Sequence, residues 1–140
     1  MKPPDLTSQD PRSLNATLAR KPAGVTYATF DEIASVACRY MGVPQWTIYD
    51  TGRHPRTVAA RELIVILCRE LTLLSLPQIA VAMRRRNHST VGTQLKRWHR
   101  RVRQADEMEA AKYDTPRGVV HPYTAFVEVR DMLNERTVAA

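Results

Sequence analysis

Residues 75–98, which read SLPQIAVAMRRRNHSTVGTQLKRW, decide the fold of this chain. Ser75 is a good N-cap and Pro77 suits a first helical turn, so we predict a short helix from Leu76 to Met83. The residues from Arg84 to Asn87 form a polar break, and Asn87 is predicted to cap a longer helix. The apolar residues of that helix recur at helical spacing at Val91, Leu95, Trp98 and Val102. A short helix, a tight turn and a longer helix make a helix-turn-helix arrangement.

Helical patterns continue on both sides of this stretch. Residues 57–74 are apolar on more than one face, which predicts a central, buried helix. An earlier helix is predicted from Thr29, its cap, to Met41, with Gly42 ending it. We predict a short helix over residues 43–49, with Trp46 and Ile48 turned toward the core, and a last amphipathic helix over residues 124–136. Cys38 and Cys68 lie in apolar helical patterns and are predicted to be core residues. The expected fold class is all-α, a helical bundle.

The positive charge of the chain is concentrated in its middle. Overall the formal net charge is +7, but residues 51–105 alone carry twelve Lys or Arg and two acids, a net of +10. Residues 71–105 contain no carboxylate at all. A merely solvated helix face normally mixes both signs of charge, so this segment favours a polyanionic partner. It lacks the bulky apolar face that membrane anchoring requires, and we predict no membrane association.

Three motifs carry a family resemblance. The chain reads RELT at residues 69–72, SLPQI at 75–79 and RNHSTV at 86–91. These resemble, in order and spacing, the signature of the C-terminal duplex-binding domain of the bacterial replication initiator DnaA, whose pattern runs R/K-E-L-T, S-L-P-E-I-G and G-G-R-D-H-T-T-V. The likeness covers roughly residues 29–101. It implies a TrpR/DnaA domain IV-like helical bundle whose recognition helix enters the major groove of DNA.

The resemblance also implies which residues touch DNA. Base edges would be faced by Asn87, His88, Ser89 and Thr90. Arg53, in a basic loop before the central helix, would be the minor-groove arginine. Phosphates would be held by Arg61, Arg69, Ser75, Leu76 and Thr93. To these we add the neighbouring cations Arg56, Arg84, Arg85, Arg86, Lys96 and Arg97 as predicted DNA-binding residues.

The chain departs from the family pattern at three positions. The paired glycines before the signature arginine are Arg84 and Arg85 here, which is expected to strengthen non-specific attraction to phosphates. The acidic residue of the signature is Asn87, whose amide donates as well as accepts hydrogen bonds. Base preference at that position is therefore expected to differ, and the target need not be the initiator's own box.

We predict four segments along the chain. These are a flexible N-terminal arm at 1–24, the helix-turn-helix domain at 25–105, a linker at 106–123, and a C-terminal helix and tail at 124–140. The amphipathic pattern of the last helix leaves three alternatives open: packing on the core, pairing with a second copy, or binding another protein.

The function expected from these features is sequence-specific binding of double-stranded DNA, in regulation of transcription or replication. No G-x-x-x-x-G-K-[ST] loop is present, so we predict a stand-alone DnaA-like protein without the ATPase module, of phage or mobile-element origin. No catalytic set, metal site or cofactor is predicted, and a cytoplasmic, nucleoid-associated location is expected. One alternative is an adaptor that docks an acidic protein, such as an initiator or polymerase subunit, on its basic face. An RNA-binding module is disfavoured because few aromatic residues are free for stacking.

Overall fold

The computed structural model describes residues 28–139, with side chains described as far as residue 135. Within this part of the chain there are five α-helices, numbered α1 to α5, two short 3-10 helices and one β-hairpin. The helices are α1 (Phe30–Met41), α2 (Pro55–Leu71), α3 (Leu76–Ala82), α4 (His88–Gln104) and α5 (Pro122–Ala139). The 3-10 helices span Gln45–Tyr49 and Glu109–Ala111, and the hairpin pairs β1 (Tyr113–Thr115) with β2 (Gly118–Val120). The prediction of a helical bundle is confirmed.

Helix α1 begins and ends where local chemistry places its boundaries. The Thr29 hydroxyl accepts a hydrogen bond from the Glu32 N–H at 3.2 Å, as an N-cap should. At the other end Gly42 adopts φ +74°, a left-handed conformation that favours glycine. A Cβ at Gly42 would also lie 2.3 Å from Pro116 Cγ of the hairpin. Gly42 therefore both ends α1 and lets the hairpin pack against it.

Helix α2 is the central helix, as predicted. All its residues from Ala59 to Arg69 are buried, because the other helices surround it. It begins at Pro55, two residues earlier than predicted, with His54 Nδ1 accepting from the Arg56 N–H at 3.3 Å. It ends at Leu71 rather than Leu74, since the Leu74 N–H donates to the Thr72 hydroxyl and turns the chain out of the helix.

Helices α3 and α4 form the helix-turn-helix. A capping box starts α3: the Ser75 hydroxyl accepts from the Gln78 N–H, and the Gln78 side chain accepts from the Ser75 N–H. Asn87 Oδ1 accepts from the Ser89 N–H at 3.0 Å and caps α4, as predicted. The inward stripe of α4 includes Trp98, which is 1% exposed. The packed face of α4 therefore leaves the opposite face and its start in solvent.

The segment before α2 differs from the prediction in one respect. Residues 45–49 form a 3-10 helix, and Ile48 is fully buried as expected. Trp46, predicted to face the core, is instead 67% exposed, so that prediction is wrong. A 3-10 helix has about three residues per turn, so residues 46 and 48 cannot share one face.

The segment 106–123, predicted as a linker or surface loop, contains the second 3-10 helix and the hairpin. Tyr113 of β1 is 1% exposed, so the hairpin packs on the core instead of hanging free. Helix α5 packs on α1 and α2 through four buried residues, Ala125, Phe126, Val129 and Leu133. The division of the chain into four segments stays a prediction, and its N-terminal arm lies outside the described residues.

Both cysteines, Cys38 and Cys68, are buried and unpaired, in keeping with the predicted core role. Burial raises the pKa of the Cys38 thiol to about 11 and that of the Cys68 thiol further still. Across the described residues, no helix has the length and apolar character needed to cross a membrane.

Candidate nucleic-acid interface

The start of α4 presents a cluster of polar side chains to solvent. Asn87, His88, Ser89, Thr90 and Thr93 are all exposed. Thr93 Oγ1 donates to the Ser89 carbonyl at 2.9 Å. Hydroxyl, imidazole and amide groups at the start of an exposed helix are suited to hydrogen bonding with base edges.

The cap of α4 determines which end of the Asn87 amide remains free. Its Oδ1 is used by the Ser89 N–H. The Nδ2 group is therefore the part that Asn87 offers outward, and it is a donor. An aspartate at this position would offer a second carboxylate oxygen, which accepts. Asn87 therefore presents a hydrogen-bond donor where the acidic residue of the family pattern would present an acceptor.

The loop between the first 3-10 helix and α2 lies beside the start of α4. Arg53 in this loop is exposed. Arg56, on the first turn of α2, is partly buried and lies 3.6 Å from the Asp114 carboxylate of the hairpin. Arg53 is therefore available to an external partner, whereas the charge of Arg56 is partly offset within the protein.

Arg61 lies beneath this loop and not on the surface. It is 5% exposed, and its Nε donates to the Ile48 carbonyl at 3.1 Å while Nη1 donates to the Gly52 carbonyl at 2.7 Å. Its Nη2 donates to the carbonyls of Thr47 and Asp50. Burial, followed by the charge of Arg85, lowers the pKa of Arg61, and Asp50 opposes this. The guanidinium predicted to hold a phosphate is largely committed to the loop backbone.

The three arginines of the helix-turn-helix turn have different surroundings. Arg84 adopts φ +59°, a conformation that favours glycine, and its guanidinium lies 4.3 Å from the centre of the Tyr49 ring. Arg85 Nη2 donates to the Ile48 carbonyl at 3.1 Å and the Asp50 carbonyl at 2.7 Å. Arg86 is exposed. The left-handed backbone at Arg84 gives a physical reason why the family pattern has glycine there.

An open groove of about 390 Å³ separates the loop from α4. Four arginines line it, and so do hydroxyl groups of α4, but no carboxylate does. The arginines are Arg53, Arg61, Arg85 and Arg97. The α4 residues with hydroxyl groups are Ser89, Thr90 and Thr93. A cleft of this composition concentrates positive potential and attracts a polyanion.

Some predicted residues lie away from this groove. Ser75 is exposed and Leu76 is half-buried at the start of α3. Arg69 is 6% exposed at the end of α2, and its burial lowers its pKa. Lys96 is exposed on α4 but does not line the groove. The predicted residues Arg56, Arg84, Arg86, Asn87 and His88 also do not line the groove. The groove thus brings together seven of the predicted residues, which are Arg53, Arg61, Arg85, Ser89, Thr90, Thr93 and Arg97.

Two polar residues of the groove, Thr51 and Gln94, were not among the predicted DNA-binding residues. Gln94 is 7% exposed, and its Oε1 has no hydrogen-bond partner among the described residues. Its position four residues after Thr90 places both on one face of α4. That spacing was the signal in the sequence that could have identified Gln94.

A short helix, a tight turn and a polar, exposed helix start beside a basic loop define a helix-turn-helix domain. Residues 30–97 match the family described as "Bacterial dnaA protein helix-turn-helix". This segment is a DnaA-type helix-turn-helix, a DNA-binding domain.

A curated relative supports the same assignment. The chain is 37% identical over 59 residues to the chromosomal replication initiator protein DnaA of Corynebacterium jeikeium (strain K411). The match covers 42% of this chain and 10% of that protein, so the likeness concerns one domain of the initiator. No solved structure matches the chain significantly.

Proposed function

We propose that this chain binds double-stranded DNA sequence-specifically, with α4 in the major groove. One observation carries the proposal: the exposed polar start of α4 opens on a groove lined by four arginines and no carboxylate. The exposed arginines Arg53 and Arg97 supply attraction to phosphates, and the side chains of Asn87, His88, Ser89 and Thr90 supply readout of base edges. Arg53 is proposed to enter the adjacent minor groove, where cationic side chains favour A·T-rich sequence.

The proposed target differs from the box read by the initiator. With Oδ1 of Asn87 used as a helix cap, its Nδ2 offers a donor to the DNA. A donor pairs with N7 of adenine or guanine, with O6 of guanine or with O4 of thymine, whereas an aspartate accepts from cytosine N4. We therefore expect a site that keeps part of the initiator's box and changes at the base pair facing Asn87.

The proposed role is regulatory and not catalytic. The matched relative is an initiator of chromosomal replication. Residues 30–97 of this chain match the helix-turn-helix family of that initiator. A protein built on this domain is suited to control transcription or the initiator's access to DNA. Its place of action is then the nucleoid.

Selection of preferred duplexes from a random pool tests this proposal. The wild type is expected to enrich one motif, His88→Ala to relax it at one or two base pairs, and Arg53→Ala to lose preference mainly in an A·T-rich flank. Arg39→Ala is the matched control, because Arg39 is exposed on α1 and does not line the groove. Enrichment of no motif by the wild type contradicts the proposal. Salt-sensitive binding of an acidic protein together with no duplex preference would favour the adaptor alternative instead.

A further inference from the structure

Two arginines from distant parts of the chain converge on the same short stretch of backbone. Arg61, from α2, donates to four carbonyls between residues 47 and 52. Arg85, from the helix-turn-helix turn, donates to two of the same carbonyls, those of Ile48 and Asp50. Backbone carbonyls at the end of a 3-10 helix lack partners within the helix, so these guanidinium groups satisfy them.

The two arginines have different consequences for the loop that carries Arg53. Arg61 ties the loop to α2, which immediately follows it in the chain. Arg85 lies 35 positions after Asp50 and two positions before the cap of α4, so its hydrogen bond ties the loop to a distant part of the chain. Arg85 thus links the loop directly to the turn of the helix-turn-helix, from which α4 starts.

The neighbouring residue strengthens this link. Arg84 stacks its guanidinium on the Tyr49 ring, the last residue of the same 3-10 helix. Its left-handed backbone costs free energy that a glycine would not lose, and the contact with Tyr49 offsets part of that cost. Both cations that replace the family's glycines therefore hold the segment preceding Arg53.

We propose that Arg85 is a positioning residue that fixes the Arg53 loop relative to the start of α4, so that both DNA grooves are read in one register. This inference rests on the proposed function. Arg85 also lines the groove, so the rival role is a direct phosphate contact. The two roles differ in what they change: positioning alters preference at the flank read by Arg53, whereas a phosphate contact weakens binding of all sequences equally.

A double-mutant cycle on Arg53 and Arg85 separates these roles. The affinities of the wild type, Arg53→Ala, Arg85→Ala and the double variant are measured for two duplexes that differ only in an A·T-rich or G·C-rich flank. We expect each single substitution to reduce the flank preference by about tenfold, the size of one lost base contact. The double variant should show no further loss, since Arg85 acts through the loop of Arg53.

Two further variants serve as controls. Arg86→Ala removes an exposed charge from the same turn and should weaken both duplexes equally. Arg85→Gln keeps a hydrogen-bond donor without the charge and should retain part of the flank preference. Equal weakening of both duplexes by Arg85→Ala, with additive effects in the double variant, would overturn the inference.

A measurement without DNA keeps this test independent of the proposed function. Hydrogen exchange at the backbone amides of Asp50 and Thr51, which donate to the Thr47 carbonyl and the Asp50 carboxylate, should be faster in Arg85→Ala than in the wild type, and unchanged in Arg86→Ala. Unchanged exchange in Arg85→Ala would also overturn the inference. A wild type with no sequence preference but with this exchange pattern would instead count against the proposed function alone.

Discussion

Two groups of arginines in this chain carry the same charge but differ in where their guanidinium groups lie. The inward arginines donate hydrogen bonds to backbone carbonyls or to a buried carboxylate, and they are Arg61, Arg85 and Arg101. The outward arginines are Arg53, Arg86 and Arg97, which are exposed to solvent.

The comparison shows that a count of cations overstates the charge offered to DNA. An inward guanidinium has exchanged water for fixed acceptors, so it mainly stabilises the fold and positions the site. An outward guanidinium keeps its donors for phosphates or bases. Substitutions in the first group should therefore change stability or geometry, and those in the second should change affinity and its salt dependence.

The largest effect is expected at Arg101. Its Nε donates to Glu62 Oε1 at 2.6 Å, and the Glu62 side chain is fully buried. Arg101→Ala leaves that carboxylate without its hydrogen-bonded cation, which should lower the free energy of unfolding by about 3 kcal/mol. Urea denaturation measures this, with the exposed Arg103→Ala on the same helix as the control. A loss no larger than that of Arg103→Ala would place Arg101 in the outward group.

The same variant has a predicted pH dependence. Burial raises the pKa of Glu62, while its hydrogen bond and charge interaction with Arg101 lower it. Without Arg101 the folded pKa rises further above the unfolded value of 4.5, so the folded state binds a proton more readily. The stability of Arg101→Ala should thus recover relative to wild type as the pH falls toward 4.5. A gap that widens on acidification would contradict this.

A smaller effect is expected at Gly42. Its substitution tests whether the hairpin, which contacts the inward Arg101, is packed tightly against α1. Tyr113 of the hairpin lies against Arg101, with the guanidinium 5.6 Å from the ring centre. Gly42→Ala combines φ +74° with a 2.3 Å approach of Cβ to Pro116 and should cost about 2 kcal/mol. Gly92→Ala, where a Cβ meets nothing within 4 Å, should be neutral or stabilising by thermal unfolding. Equal melting temperatures for the two variants would contradict the packing.

Arg97 tests the prediction that outward arginines affect DNA affinity and not stability. Arg97→Ala should leave the free energy of unfolding within about 0.5 kcal/mol of wild type. It should reduce the slope of log affinity against log salt by about 1, since one phosphate contact is lost. Fluorescence anisotropy at several salt concentrations measures the slope, with Arg39→Ala as the control. An unchanged slope would remove Arg97 from the interface.

The smallest effect is expected at the Arg56–Asp114 pair, which is intermediate between the two groups. The two charges lie 3.6 Å apart, and the Asp114 side chain is 72% exposed. Asp114→Asn should free Arg56 and raise duplex affinity by about twofold, as exposed pairs contribute little. Glu109→Gln, which frees Lys112 instead, is the matched control. Reduced affinity in Asp114→Asn would mean that Asp114 positions Arg56 for DNA.

The sequence predicted those parts of the fold that local chemistry determines. The caps at Thr29, Ser75 and Asn87, and the glycine at Gly42, act over four residues or fewer, so pattern reading located α1, α3 and α4. The hairpin was not predicted because β1 and β2 are three residues each, and its Pro116-Arg117 turn followed by Gly118 resembles a linker.

The candidate site was predictable only in part, for a related reason. The apolar stripe of α4 in the sequence predicts that the opposite face and the start of this helix are exposed. The partners of Arg61 and Arg85 are backbone carbonyls, which no sequence pattern marks, and Arg85 is 35 or more residues away from them. Trp46 was placed in the core on its apolar character alone, although a single exposed aromatic side chain is common on protein surfaces.

The central claim is that the start of α4 distinguishes one duplex sequence from another. The most direct measurement compares the affinity of wild type and His88→Ala for a selected duplex and for a shuffled duplex of the same composition, at about 150 mM salt. We expect the wild type to prefer the selected duplex by roughly a thousandfold or more, and His88→Ala to lose about tenfold of that preference. Equal affinity of the wild type for both duplexes, or a preference that His88→Ala leaves intact, would contradict the claim.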